Sequence, residues 1–263
     1  MTIGLVPLEG GYEPPGLKDF DWPGIVPGAP DWLDKPFMQA ALAFVLVLLF
    51  WLIGTRKLSV RPGKKQFFFE SVYEFVRNGI ARDILHAEYR KFLPYLLTLF
   101  TFILFSNWFG QFFLLMYPTF SNIGFAYGFA IISWFVYVGA GIAKWGFGPF
   151  MKKSLIPEGV PGYLLPLIMP LEFLSNFITR PVTLALRVFA TMFAGHLVVM
   201  VFIVGGGFLL AYQDNLFYNV SGGASFLFGL LVMALELFIG ALQAYIFTVL
   251  TAQYLSTSIA EAH

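Results

Sequence analysis

The sequence predicts an all-α polytopic membrane protein: about five transmembrane helices, one interfacial amphipathic helix, and two long tilted helices at the C-terminal end. Three observations predict it. The chain is 58% hydrophobic and only 12% charged, whereas soluble domains carry about 25% charged residues. Several apolar runs reach the roughly 20 residues that cross a bilayer as a helix. Lys and Arg gather in some connections and are missing from others, as expected when spans alternate in direction.

Residues 1–36 read as an outer, irregular tail. Pro7, Pro14, Pro15, Pro23, Pro27, Pro30 and Pro36 exclude a long helix there, because proline removes a donor and clashes with the preceding turn. The stretch is acidic and has no apolar core, so no secretory signal is expected. Residues 37–263 read as a single membrane domain, which opens with a short span at 37–53. A basic cluster follows at Arg56, Lys57, Arg61, Lys64 and Lys65.

Residues 67–91 are amphipathic. Phe69, Val72, Val76, Ile80 and Ile84 recur at helical spacing, and Glu70, Glu74, Arg77, Asn78 and Arg82 take the other side. Between two spans, that pattern predicts a helix lying at the membrane interface. Spans at 92–116 and 123–143 follow, joined by a short uncharged turn and succeeded by a loop with Lys144, Lys152 and Lys153. The apolar regions 164–210 and 226–255 are too long for a hydrocarbon core of roughly 30 Å unless tilted or broken. Gly205, Gly206 and Gly207 mark the expected weak point of the first.

Orientation follows from the basic residues. Residues 54–91 hold nine Lys/Arg and 144–153 hold three, whereas 117–122 and 211–225 hold none. Five spans, with the N-terminus outside and the C-terminus inside, satisfy the positive-inside rule at every loop.

Charge inside the apolar runs carries the functional signal. Arg187 stands near the middle of a stretch hydrophobic enough to span. A guanidinium does not deprotonate in proteins, and a charge at a helix centre costs roughly 3 kcal/mol on insertion scales. Such a residue is a functional-site hypothesis that needs a partner. His196 lies about 13 Å further out along the same helix, and Glu236 about 10 Å outward of Gln243 on the next. If Gln243 is level with Arg187, then His196 and Glu236 share one outer depth. Glu236, Gly240 and Gln243 share a helical face, as do Thr183, Arg187 and Thr191. Glu172 lies about 22 Å inward of Arg187.

The residues thus offer a titratable pair outside, a fixed cation at mid-depth and a carboxylate inside. That suits two half-pathways separated by an obstacle to protons. Blander readings stand beside it. His196 with Glu236 could be an inter-helix hydrogen-bond pair, Gln243 helix–helix glue, and Arg180 and Glu172 snorkelling end residues.

Other chemistries have no residues to carry them. There is no cysteine, and His86, His196 and His263 show no metal-ligand spacing. No nucleotide loop or nucleophile motif is present, so neither a cofactor nor group transfer is expected of this chain.

The segment LALRVFATMFAGHLVV, followed by LELFIGALQAYIFTVLTAQYLS, resembles the subunit a family of F-type ATP synthases, and the resemblance covers nearly all of residues 37–263. It implies a proton-translocating subunit that provides two half-channels against a rotating c-ring and couples proton flow to ATP synthesis, with the ATP chemistry on other subunits. Arg187 matches the family's essential arginine, and Gln243 the glutamine opposite it. His196 and Glu236 match positions lining the outer half-channel, and Glu172 falls near an inner carboxylate. Thr191 departs from the family's usual Asn, a longer hydrogen-bonding group. The implied partners are the c-ring subunits, peripheral-stalk b subunits, other ATP synthase subunits and membrane lipid, with no nucleic acid. The implied location is a bacterial cytoplasmic (inner) membrane. A proton-coupled secondary transporter is the rival; it predicts internal repeats, and none is visible. A purely structural scaffold leaves Arg187 unexplained.

Overall fold

The computed structural model describes residues 14–16, 35–56, 59–111, 118–156, 162–211 and 216–260. Most of the tail expected over 1–36 lies outside them. Five helices are long and apolar enough to cross a membrane, at Lys35–Thr55, Lys64–Phe109, Ile123–Trp145, Leu165–Ala211 and Leu216–Ile259. Among the described residues the regular structure is wholly helical. The chain is an all-α polytopic membrane protein.

Helix α1 (Lys35–Thr55) buries only Pro36, Gln39, Ala43 and Val47. Its remaining faces expose Leu48, Leu49, Leu52 and Ile53, as a helix with lipid on most sides should. The amphipathic region begins as α2 (Lys64–Val76), widens into a π-helical turn at Arg77–Arg82 and ends as α3 (Asp83–Leu85). Its apolar stripe turns inward: Val76, Ile80 and Ala81 are fully buried and Leu85 nearly so. The polar residues Glu74, Asn78 and Arg82 face out. His86, at φ +47°, makes the corner into the next span, a conformation that non-glycine residues seldom adopt.

Helix α4 (Tyr89–Phe109) is the most enclosed of the spans. Phe102 stacks on Phe129 of α5 (Ile123–Trp145) at 4.7 Å between ring centroids, with Phe120 edge-on to both. Tyr95 and Ser133 share a hydrogen bond of 2.8 Å, which leaves neither hydroxyl bare in an apolar medium. At the other end Lys144 pairs with Glu88 at 2.6 Å. The loop expected over 144–153 is in part helical, as α6 (Phe147–Leu155). Its Phe150 ring lies where a side chain on Gly141 would be.

The fourth apolar region is one continuous helical stretch with an irregular lower third. It comprises α7 (Leu165–Phe173), a π-helical turn at Leu174–Thr179 and α8 (Arg180–Ala211). Pro181 has no N–H for the carbonyl four residues earlier, and the turn before it opens to the wider winding. No break occurs at 205–207. Gly206 serves contact instead: a Cβ on it would lie 3.0 Å from the backbone nitrogen of Phe226, and one on Gly222 2.9 Å from the carbonyl oxygen of Gly206. Helix α9 (Leu216–Ile259) starts ten residues before the expected 226, so residues expected to form a connection extend the close pairing with α8. Small residues let membrane helices approach in this way.

That contact makes a clean test. Gly222→Val should push α8 and α9 apart, at a cost of about 1–3 kcal/mol for overpacking. Gly223→Val, at a position where a Cβ would meet nothing within 4 Å, should be silent. Thermal unfolding of the purified assembly compares the two; equal melting temperatures would mean the helices do not touch there.

Candidate ion pathway

Helices α8 and α9 run antiparallel, and their contacts fix the register. Gly206 faces Gly222, Ile203 packs on Gly229, and Ser225 donates to the Phe202 carbonyl at 3.0 Å. Two turns further along the pair, the position of a Cβ on Gly195 lies 2.7 Å from Glu236 Oε1. The Glu236 carboxylate therefore fills the space that Gly195 leaves open, one residue from His196. Both are buried, each 3% exposed. The shared level of His196 and Glu236 inferred from spacing alone is present in the structure.

Sequence reading missed how Glu236 is held. Gln111, just past the end of α4, donates a hydrogen bond from Nε2 to Glu236 Oε2. Asn107 Nδ2 donates to the Gly240 carbonyl and Trp108 Nε1 to that of Leu237, both at 3.0 Å. These three side chains clamp one turn of α9 against the end of α4. A Cβ on Gly240 would come within 3.2 Å of Asn107 Cβ, so glycine there permits the approach. The available signal was three polar or amphipathic groups in SNWFGQ, where a lone Trp reads as an interface anchor.

Two turns beyond Gly195 stands Arg187. Between the Gly195–Glu236 contact and the Arg180 guanidinium over the Tyr254 ring at 5.1 Å, the register sets Arg187 level with the turn that carries Gln243. The two are not hydrogen-bonded. Gln243 is buried at 6% exposure, and its Oε1 has no hydrogen-bond partner among the described residues. Arg187 lies on the opposite kind of surface. It is exposed, in a stripe with Thr183, Leu186, Ala190, Ala194 and Val198, and has no ion pair or hydrogen bond to its side chain among the described residues. Thr183 and Thr191 donate to carbonyls of their own helix, at 2.7 Å to Thr179 and 2.9 Å to Arg187. Their hydroxyls are thereby occupied as donors and keep lone pairs to accept with.

At the other end of the pair the π-helical turn carries a polar pocket of about 170 Å³, lined by Glu172, Asn176, Arg180, Lys153, Tyr137 and Ser258 among others. Asn176 Nδ2 donates to Glu172 Oε2 at 3.1 Å and to the Ser154 carbonyl at 2.8 Å. Its own carbonyl accepts from Tyr137 at 3.2 Å. Lys153 Nζ donates to the Ala260 carbonyl, which ties α6 to the last turn of α9. Glu172 is therefore anchored in a hydrated-size pocket and does not simply reach outward from a helix end. His86 is exposed, and His263 lies outside the described residues.

Comparisons with known proteins agree over almost the full length. The family model described as ATP synthase A chain matches residues 37–256. A protein of a Nocardioides species named ATP synthase subunit a is 42% identical over 263 residues, covering 96% of this chain and 95% of its own. The protein of that name in Pseudarthrobacter chlorophenolicus is 42% identical, with coverage of 97% and 96%. Its namesake in Parvibaculum lavamentivorans is 34% identical over the whole of both chains. The chain belongs to the ATP synthase A chain family, and is a multi-pass membrane protein of that complex.

Proposed function

We propose that Arg187, His196, Glu236, Gln243 and Glu172 mark two offset half-pathways along which protons reach and leave a ring of carboxylate-bearing c subunits. The observation that carries this reading is the exposed, unpaired guanidinium of Arg187 on a membrane-spanning helix. A permanent charge facing out of the chain at that depth calls for an anionic partner supplied by another subunit. A carboxylate that passes in front of it meets that need at each step.

A proton enters from outside, passes the Glu236–His196 pair held by Gln111 and Gly195, and neutralises a ring carboxylate. A neutral carboxyl can move into lipid, whereas an ionised one resists desolvation. After the ring has turned, the proton leaves through the polar pocket around Glu172. Arg187 favours the ionised partner in front of it by charge attraction and repels a proton that would hop directly between the half-pathways. Thr183, on the same exposed stripe, and the half-buried Thr191 beside it offer lone pairs to water or to the passing carboxyl. Gln243 presents an amide at the same depth from the buried side. The expected setting is a bacterial cytoplasmic membrane, with the N-terminus outside, the C-terminus in the cytoplasm, and the b subunits of a peripheral stalk holding the chain still. The ATP chemistry belongs to other subunits.

Reconstitution tests the division of labour. Liposomes holding this chain alone should be proton-tight under an imposed potential, and liposomes holding the whole membrane sector should conduct. Solute uptake by the chain alone would instead support a secondary transporter.

A further inference from the structure

At the basic end of α1 an amphipathic groove runs between α1, α2 and α4, away from the ion pathway. It consists of two adjoining hollows of about 460 and 410 Å³, each within the usual size of a small-ligand site. Gly54 and Phe69 line both. The Phe69 ring lies so close on Gly54 that a Cβ there would be 2.7 Å from it, and Phe50 backs the same ring at 4.6 Å between centroids. The first hollow is walled by Trp51, Tyr73 and Leu97. The second carries Arg56, Lys65, Ser59 and Gln66.

The polar groups sort by sign. Glu70, the acid that lines the groove, accepts from Gln66 Nε2 at 2.7 Å. The same amide nitrogen donates to the Ser59 carbonyl at 2.9 Å, and Gln66 Oε1 accepts from the Ser59 N–H at 3.1 Å. Gln66 thus folds the turn before α2 back on the helix and occupies the carboxylate. Arg56 and Lys65 have no ion pair or side-chain hydrogen bond among the described residues.

We propose that this groove holds one anionic glycerophospholipid, with an acyl chain beside Trp51, Tyr73 and Leu97 and its phosphate between Arg56 and Lys65. The two ends of the groove match the two ends of such a molecule. Basic pockets at the membrane surface select anionic head groups, and aromatic Trp and Tyr sit at head-group level. A transmembrane helix of a partner subunit is the competing occupant; it matches the apolar hollow but has no need of two unpaired cations at its end.

The experiment uses the intact complex in nanodiscs containing equal phosphatidylglycerol and phosphatidylcholine, one or the other carrying a photoreactive acyl chain. Adducts are located by mass spectrometry after illumination. Located to single residues, adducts of the phosphatidylglycerol probe should fall on Trp51, Tyr73 or Leu97, and Arg56→Gln with Lys65→Gln should lower that labelling about 25-fold, at about fivefold per cation. Labelling of exposed Leu49 and Leu52 on α1 should stay constant and reports that the variant is folded. Equal labelling by both lipids, unchanged labelling in the double variant, or adducts on Leu49 and Leu52 with none on Trp51, Tyr73 or Leu97 would overturn the proposal. The readout needs no proton transport, so it stands or falls apart from the ion-pathway reading.

Discussion

Arg187→Gln is expected to abolish ATP-driven acidification of membrane vesicles while leaving the complex assembled and its ATP hydrolysis measurable. The side chain makes no ion pair or hydrogen bond within its own chain among the described residues, so its removal disturbs no packing that holds α8 in place. Val188, Ala185 and Leu184, on the buried face of the same turns, keep the helix seated. What is lost is the charge. Without it a ring carboxylate has no fixed counter-ion at the boundary between half-pathways, and a proton can cross directly. Each charge moved across the membrane is worth about 2.3 kcal/mol per 100 mV, so even one leak per step dissipates the drive. Passive proton permeability should rise as pumping falls, which distinguishes a lost barrier from a lost subunit. Normal pumping by the glutamine variant would make the guanidinium structural. Arg187→Lys should also fail, because a compact ammonium on a flexible stem does not reproduce the planar, delocalised fork.

The second large effect is expected at the outer pair. Glu236→Ala or His196→Ala alone should lower the initial rate of ATP-driven pumping at least tenfold, the scale on which loss of a positioned proton-transfer group is felt. Exchanging the two, His196→Glu with Glu236→His, should recover more activity than either His196→Glu or Glu236→His alone. The structure supports this reciprocity because Glu236 lies against Gly195, one residue from His196, and both side chains are buried at one level. The exchange is imperfect: Gln111 donates to Glu236, and an imidazole in its place must offer that amide a ring nitrogen. A double variant no better than the single ones would separate the two residues functionally.

Much of this arrangement could be read from residue order. The spans were legible because bilayer thickness sets a length that hydropathy reports directly, and the depth match of His196 with Glu236 followed from helical rise on antiparallel helices. Other features depend on partners distant in sequence. The clamp of Asn107, Trp108 and Gln111 on α9 joins residues more than 120 positions apart, and no periodicity within one helix announces it. Gly205, Gly206 and Gly207 suggested weakness because glycine lowers helix propensity. In a membrane the intrahelical hydrogen bonds have no water to compete with them, so the helix persists and glycine acts through close approach. Helix α6 was read as loop because Pro149 and two lysines obscure a nine-residue helix. Gln243 and Arg187 share a level, but Gln243 is buried and Arg187 exposed, a matter of azimuth that depth cannot supply.

The wide turn at Leu174–Thr179 gives the long fourth helix two independent angular settings. Each residue of an α-helix advances about 100° around the axis, and a π-helical turn absorbs an additional residue without breaking the rod. Glu172 below the turn and Arg187 above it are consequently out of phase with what an uninterrupted α-helix would give. A one-residue deletion at 177–179 would return the turn to ordinary α-winding and keep Glu172 and Arg187 on the faces they now occupy, whereas a deletion at 181–186, where no additional residue is absorbed, would rotate one against the other by about 100°. The turn thus works as a phase coupling, in which one shaft presents its acid to a pocket within the chain and its cation to the surface.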